Sequence, residues 1–282
     1  LIFLPFILPF TDLVSHTSAI LARQIANAHT IFNVIVSMIM LPFVKPLART
    51  IENLIPEKED DKGKKVHTRF IDPRLINMPM MAVKLAMEEV LRMGWQTYEM
   101  LERSGEAMLK HDEDAVKWVF KHEKNIDEIC HSLESFLESI PGEKLSPEDQ
   151  DKLEDMKHLI TDIERIGDHA NNLSEFARQL YHKKVNISKA GQKELQVLFK
   201  KVLQNYKITL KALKTRDEKM VEKITGIEEE IDDLEKTYKL NHIERLKKNI
   251  CHPEADTIFV ESLRNLERIS DHAYNIALTL IY

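Results

Sequence analysis

The chain has 282 residues, enough for one or two domains, and charged residues make up 30% of it. Its net charge of −6, with no basic stripe to offset the acids, argues against a nucleic-acid partner. The two cysteines, Cys130 and Cys251, form no disulfide framework, fall short of a four-ligand zinc site and fit a reducing compartment.

Residues 1–50 are more apolar than the rest of the chain. Residues 31–44 contain no charge, and the apolar stretch extended back to Ser18 has the roughly 20 residues that a bilayer-spanning helix needs. Lys45 and Arg49 follow at once, and a basic cluster just past an apolar segment marks the cytoplasmic side of a membrane. We therefore predict a membrane helix here, with a buried core helix as the alternative. The apolar start of the chain predicts that it is part of a longer protein.

Residues 51–71 are predicted to form a charged linker. The segment from Pro56 to Lys65 consists almost entirely of charged residues, with Pro at its start and Gly near its end. A segment of this composition cannot bury enough apolar surface to order itself. We expect it to act as a flexible tether between the membrane segment and the C-terminal part of the chain.

From residue 72 onward the sequence predicts six helices and no strand. Glu, Lys, Leu and Ile recur there at helical spacing. Pro141 and Gly142 break the chain, and Ser146 then caps a new helix with Pro147 at its first position. The predicted helices span about residues 80–110, 112–140, 147–181, 188–214, 217–249 and 253–282. The sequence therefore predicts an all-α protein.

The second half of this region repeats the first. Residues 164–172 read Glu-Arg-Ile-Gly-Asp-His-Ala-Asn-Asn, and residues 267–275 read Glu-Arg-Ile-Ser-Asp-His-Ala-Tyr-Asn, so seven of nine positions are identical. Each half contains three long helices joined by short loops, which is typical of an antiparallel three-helix bundle. We predict one bundle over residues 72–183 and a second over residues 184–282, and the two can pack side by side.

An apolar stripe marks the predicted core face of the third helix in each bundle. Its residues recur at three- and four-residue steps. They are Leu159, Ile163, Ile166, Ala170, Leu173 and Ala177 in the first bundle, and Leu266, Ile269, Ala273, Ile276 and Leu280 in the second. Gly167 costs a helix about 1 kcal/mol relative to Ala, so we expect close packing to be the reason for it.

Acidic pairs with the spacing Glu-x-x-x-Asp occur on the second and third predicted helices of both bundles, and those on the third helices lie beside this stripe. Four of these pairs occupy repeat-equivalent positions: Glu123 with Asp127, Glu164 with Asp168, Glu228 with Asp232, and Glu267 with Asp271. Residues four apart are neighbours on a helix, where like charges repel. If the second and third helices of a bundle are adjacent, four carboxylates meet, and cations would be needed to neutralise them. Oxygen-rich clusters suit hard ions such as Mg²⁺, Ca²⁺, Mn²⁺ or iron.

The spacing alone also allows an ordinary solvated acidic face. Arg165 and Arg268 could neutralise their neighbours without any metal. His169 and His272 follow the Asp in both copies, but they point about 100° away from it around the helix. We therefore expect these two histidines to lie on the surface or between helices rather than to bind metal.

The repeated phrases resemble the signature of the PhoU family of phosphate-uptake regulators. The resemblance covers the chain from about Asp72 to the end and implies two tandem three-helix bundles that bind multinuclear clusters of divalent or trivalent metal ions. It implies metal ligands at Glu164, Asp168, Glu267 and Asp271, and less directly at Glu123, Asp127, Glu228 and Asp232.

The N-terminal residues carry a second resemblance. Residues 28–33, Ala-His-Thr-Ile-Phe-Asn, are similar to the Ala-His-x-x-Phe-Asn segment of sodium/phosphate cotransporters, whose bacterial members carry a PhoU-like domain after the membrane part. The chain has neither Gln-Ser-Ser motif of that family, so the substrate and sodium sites would lie upstream of Leu1. His29 and Asn33 share one helix face, where they could line a transport path or hydrogen-bond to another helix.

Together the resemblances imply the C-terminal part of a sodium-dependent phosphate transporter that is not an enzyme. Residues 1–50 would be the end of a membrane transport domain that handles phosphate and sodium and contacts lipid. Residues 51–282 would lie in the cytoplasm and regulate phosphate uptake, through bound metal ions. Further expected partners are a second copy of the chain or a signalling protein, and nucleic acid is not expected.

Two other functions stay open. A free-standing PhoU-type adaptor of phosphate signalling would stay in solution without detergent. A metal-dependent phosphatase or oxidase on a helical bundle is the second alternative. The chain has no nucleophile motif, and Glu128 with His131 is a lone Glu-x-x-His where di-iron bundles need two.

Overall fold

The computed structural model of the chain describes residues 4–43, 68–248 and 253–281. The chain divides into two compact units, Leu1–Lys65 and Val66–Tyr282. Most of the predicted linker, residues 51–67, lies outside the described residues, as do Lys45 and Arg49, on which the predicted membrane orientation rests.

The first unit is a pair of helices, α1 (Leu4–Ser15) and α2 (Leu21–Met40), followed by a 3₁₀ turn at Leu41–Phe43. The side-chain amide of Gln24 donates to the carbonyl of Ser18 at 2.7 Å and helps to fix the start of α2. The segment Leu21–Phe43 is the one described helix that is long and apolar enough to cross a membrane. No side chain of α2 is buried within the protein, which argues against the alternative of a core helix.

The second unit contains the six predicted helices, within a few residues of their predicted ends. They are α3 (Pro79–Lys110), α4 (Glu113–Ser139), α5 (Pro147–Lys183), α6 (Lys189–Thr215), α7 (Lys219–Lys247) and α8 (Pro253–Leu278). The cap at Ser146 is confirmed, since its hydroxyl accepts the backbone N–H of Asp149 at 3.2 Å. Asp112 caps α4 by accepting the N–H groups of Asp114 and Ala115, both at 3.0 Å.

The helices form two three-helix bundles that share one core. Helices α3, α4 and α5 pack on one another, and α6, α7 and α8 do the same. The bundles join where α5 packs against α8 and α3 packs against α6, so these four helices form the centre, with α4 and α7 on the outside. All predicted stripe residues of α5 are buried, and so are those of α8. Leu280, which follows α8, is only partly buried.

Close approach of helices occurs at Gly94 rather than at Gly167. A Cβ atom on Gly94 would lie 2.6 Å from Cδ2 of Leu210, so α3 and α6 meet there without room for a side chain. The Tyr206 hydroxyl of α6 donates to the Gly94 carbonyl at 3.2 Å and lies 2.7 Å from Oγ1 of Thr97. A Cβ on Gly167 would meet its nearest atom at 3.4 Å, an ordinary contact, so close packing does not explain that glycine.

Candidate metal centres

The first acidic cluster consists of Glu123 and Asp127 on α4 and Asp168 on α5. Helical spacing puts the first two on one face, and packing of α4 against α5 brings the third beside them. One carboxylate oxygen from each residue lies within 4.8 Å of the others, and all three residues are half-buried.

The second acidic cluster repeats this arrangement with Glu228 and Asp232 on α7 and Asp271 on α8. Its carboxylate oxygens also lie within 4.8 Å of one another, in half-buried residues. Each residue occupies the repeat position of its counterpart in the first cluster. The duplicated sequence therefore produces the same three-carboxylate group twice in the described chain.

Glu164 and Glu267, the remaining predicted ligands, stand next to these groups but outside the tight triads. Burial raises the pKa of Glu164, and the negative charges of Asp168 and Asp127 add to the effect. Burial likewise raises the pKa of Glu267 to about 7, with further contributions from Asp271 and Asp232. Each bundle thus holds four interacting carboxylates, three of them within a single ion's reach.

The carboxylates of both clusters are held in an environment that disfavours their charge. Burial first, and then neighbouring acids, raise the pKa of Glu123 and Asp127 in the first cluster. The same causes raise the pKa of Glu228 and Asp271 in the second. A cation at either cluster would counter this repulsion directly.

Nearby basic side chains neutralise the clusters only in part. Arg165 lies 3.5 Å from Asp168 and 3.7 Å from Glu164, but its side chain is 57% exposed. Lys236 lies 3.4 Å from Asp232 and is also exposed. Exposed ion pairs contribute little, so these residues offset the repulsion among the carboxylates only weakly. Arg268 makes no ion pair with any carboxylate in the described part of the chain.

One functional candidate was missed in the sequence. Glu235, which is buried and paired with Lys239, adds its charge to the second cluster beside Glu267. Its repeat position in the first bundle is held by Cys130, whose pKa is raised to about 12 by burial and by Glu134 and other acids. The 105-residue offset between Glu123 and Glu228 pairs Glu235 with a cysteine, so the repeat gives no signal for it. The signal that could have found Glu235 is its position three residues after Asp232, on the same helix face.

The repeated histidines lie between helices, as expected. His169 of α5 is hydrogen-bonded through Nδ1 to Oδ1 of Asn265 at 2.9 Å. His272 of α8 is hydrogen-bonded through Nδ1 to Asp162 at 2.8 Å, and the two imidazole rings stack with centroids 5.6 Å apart. These contacts join α5 to α8 and engage the Nδ1 atom of each ring.

The other predicted site residues are less informative. His29 and Asn33 are both exposed and lie one turn apart on α2, where they share a face. His131 directs its Nδ1 to the backbone carbonyl of Asp127 at 2.8 Å, and it belongs to neither acidic triad.

The donor set of each cluster fits a hard metal ion. All three donors are carboxylate oxygens, held by two helices, with a fourth carboxylate alongside. Such donors suit Mg²⁺, Ca²⁺, Mn²⁺ or iron rather than ions that prefer sulfur or imidazole. Glu123, Asp127 and Asp168 would hold an ion in the first bundle, and their repeat counterparts would do so in the second.

Curated relatives include two groups whose names refer to phosphate. A protein of Escherichia coli (strain K12) described as "Putative inorganic phosphate export protein YjbB" is 23% identical over 282 residues, covering 98% of this chain and 51% of that protein. The chain thus spans about half the length of the YjbB relatives it matches. The PhoU homolog 1 of Thermotoga maritima, a phosphate-specific transport system accessory protein, is 26% identical over 204 residues, covering 70% of this chain and 85% of that protein.

Solved structures match the helical bundles. The PhoU crystal structure from Pseudomonas aeruginosa superimposes with a TM-score of 0.68 at 21% identity, covering 71% of this chain and 96% of that one. PhoU from Streptococcus pneumoniae gives a TM-score of 0.64 at 18% identity and covers 93% of that chain. At these identities the likeness establishes the fold. The PhoU domain family model matches residues 90–177 and 195–280, one match for each bundle, and the chain therefore belongs to the PhoU domain family.

Proposed function

We propose that the two bundles form a regulator of phosphate transport whose acidic clusters bind metal ions. The observation that carries this proposal is the pair of repeat-equivalent carboxylate triads, each spanning two helices of a PhoU-type bundle. The role is regulatory rather than enzymatic, in keeping with the accessory-protein names of the PhoU relatives.

The comparisons favour a PhoU-type regulator over the sodium-dependent transporter that the N-terminal resemblance implies. The family model and the solved structures match the bundles, and the relatives described above are named for phosphate export and for phosphate-specific transport. A free-standing adaptor is supported by the PhoU proteins of Thermotoga maritima and Pseudomonas aeruginosa, because this chain covers 85% and 96% of their lengths.

Bound metal would act on the helix pairs of each bundle. An ion held by Glu123, Asp127 and Asp168 would supply positive charge that ties α4 to α5, and its counterpart would tie α7 to α8. Without it, the mutual repulsion of the carboxylates loosens the outer helices α4 and α7. Metal occupancy would thereby determine how firmly α4 packs on α5 and α7 packs on α8, and so how well any partner surface on the outer helices is ordered.

A membrane-attached form of the same regulator is the second candidate. It is supported by α2, which is long and apolar enough to cross a membrane, and by the YjbB match over nearly the whole chain. In that case phosphate would pass through a membrane domain, lined in part by His29 and Asn33, and the bundles would regulate it from the cytoplasm. Fractionation distinguishes the candidates: the full chain should resist alkaline extraction from membranes if attached, and stay in the supernatant if it is a free adaptor.

Metal content tests the site assignment. The full chain should be loaded with Mn²⁺, dialysed and analysed for elements, beside a variant with Asp127→Asn and Asp168→Asn. We expect the variant to lose the metal of the first cluster, about half of the total, because one carboxylate from each helix is neutralised.

The matched control carries Asp114→Asn and Asp151→Asn, two exposed aspartates on the same two helices. It should bind as much metal as the wild-type chain. A wild-type chain that retains no metal, or equal metal in all three proteins, would refute the assignment.

A further inference from the structure

A long groove runs between α3 and α6, the first helices of the two bundles. The helices are antiparallel, since Gly94 meets Leu210 and Gly105 meets Phe199. Its floor is apolar and half-buried except for Phe199, which is buried, and its volume is about 870 Å³, far more than an inorganic anion fills. The apolar floor includes Tyr98, Leu109, Phe199, Leu203 and Ile208. We call this feature the lysine groove, after its rim.

The rim of the groove is strongly basic, although the whole chain is acidic. Six lysines line it: Lys110, Lys189, Lys193, Lys200, Lys207 and Lys211. Only two acids, Glu102 and Glu106, lie among them. All six lysines are exposed, so their charges face whatever enters the groove.

Most of these charges have no partner within the described residues. Lys110 pairs with Glu106 at 3.0 Å, and the ammonium of Lys207 lies 5.7 Å from the ring centroid of Tyr98. The other four lysines form no ion pair there. Lys189 and Lys193 are one turn apart, and so are Lys207 and Lys211, and like charges at this spacing destabilise a helix by a few tenths of a kcal/mol. An anionic partner would relieve that repulsion.

The lysine groove and the acidic clusters belong to different helix pairs. The clusters lie between α4 and α5 and between α7 and α8, whereas the groove lies between α3 and α6. Although the net charge is −6, acidic and basic side chains are concentrated on different surfaces of the protein. A basic surface on an acidic protein selects for an acidic partner by charge complementarity.

We propose that the lysine groove docks an acidic amphipathic helix of a partner protein. The rim from Lys189 to Lys211 includes 23 residues of α6. The 22 steps between its ends rise roughly 33 Å at about 1.5 Å per residue, which matches a helix of about 20 residues. Such a helix would lay its apolar face on the floor and its carboxylates against the lysines, the helix-in-groove mode of recognition. A flat bilayer could meet the lysines, but it would not reach the recessed floor.

A synthetic peptide tests the proposal on the full chain in nonionic detergent without added metal. The probe is a fluorescein-labelled 20-residue peptide with Leu and Ala on one helical face and Glu on its flanks, followed by fluorescence anisotropy. We expect saturable binding that weakens with salt, and at least about tenfold weaker binding by a variant with Lys193→Glu, Lys200→Glu and Lys207→Glu. These lysines are exposed, so the variant should keep its helical circular dichroism.

The control variant makes the same charge change elsewhere, with Lys144→Glu, Lys219→Glu and Lys223→Glu, and should bind the peptide like the wild-type chain. The proposal is overturned if both variants bind the peptide equally, or if a scrambled peptide binds as well as the designed one. It is also overturned if the wild-type chain binds no peptide at about 100 µM, which is on the order of a weak docking affinity.

Two further measurements assign the groove to a different occupant if the peptide fails. The first is flotation with neutral vesicles and with vesicles that contain about 30% phosphatidylglycerol, roughly the anionic fraction of a cytoplasmic leaflet. If the groove variant alone loses the preference for anionic vesicles, the occupant is a lipid surface. Sedimentation would show a second copy of the chain if the groove variant alone ceases to self-associate. Either result without peptide binding contradicts the proposal, and neither depends on whether the acidic clusters bind metal.

Discussion

Among the carboxylates in and beside the clusters, Glu267 has the most strongly raised pKa. Its pKa is raised from 4.5 to about 7, chiefly by burial and then by Asp271, Asp232 and Glu235. Because the folded state binds the proton more tightly than the unfolded chain, this residue makes the metal-free protein less stable as the pH rises from about 4.5 to 7.

Replacing this carboxyl should therefore stabilise the metal-free protein at high pH. We expect Glu267→Gln to raise the free energy of unfolding by about 1 kcal/mol at pH 8 in chelator and to change it little at pH 4. The expected gain is small because solvent screens the partly exposed side chain. Urea unfolding of the full chain followed by circular dichroism measures this. Glu138→Gln, an exposed acid on α4, is the control. Parallel stability curves for the wild-type chain and Glu267→Gln would contradict the electrostatic account.

Single residues also mark the limit of what the sequence could predict. The four Glu-x-x-x-Asp pairs identify the acidic faces because their spacing is a local property of the helix. Which three of four carboxylates form a triad depends on how α4 packs on α5, and no local pattern records that. Glu88 and Glu89 illustrate the same limit, since adjacent identical residues differ completely in the fold: Glu88 is exposed and Glu89 is buried.

At the scale of elements, Glu89 attaches the segment before α3 to that helix. Its carboxylate accepts the backbone N–H groups of Arg69 at 2.9 Å and Phe70 at 2.8 Å, and it also pairs with Arg92. The chain that enters the bundles is thereby held against α3 by a buried charge.

Removing that charge should loosen the segment and destabilise the second unit. We expect Glu89→Ala to lower the free energy of unfolding by about 2–4 kcal/mol, because two N–H groups and Arg92 lose their partner. Glu89→Gln should cost less, since its amide oxygen can still accept. Thermal unfolding of the full chain compares them, with Glu88→Ala as the exposed control. A loss for Glu89→Ala no larger than that for Glu88→Ala would show that the contact contributes nothing.

The helices and their grouping into two three-helix bundles were largely predictable, whereas the contacts that join the two bundles were not. Ser146 with Pro147 and the Pro141–Gly142 break are local signals, and they placed the start of α5 correctly. The apolar stripe of α5 is confirmed because its three- and four-residue period reflects burial directly. The contact of α3 with α6 through Gly94 and Tyr206 brings together residues more than 100 positions apart, and neither residue stands out in its own helix.

At the scale of the whole molecule, duplication explains the two acidic clusters, and the joining of the bundles explains the main core that they share. The central helices α3, α5, α6 and α8 pack tightly, whereas α4 and α7 each lie on the outside of a bundle and carry two carboxylates of a triad. The outer helices are therefore the elements that metal binding would control, while the lysine groove on α3 and α6 stays in place.

The most direct test of the metal assignment is anomalous X-ray diffraction from crystals of the full chain loaded with Mn²⁺. Our account predicts an anomalous peak at each acidic cluster, one against Glu123, Asp127 and Asp168 and one against Glu228, Asp232 and Asp271. Crystals that contain Mn²⁺ but show no peak at either cluster would contradict it.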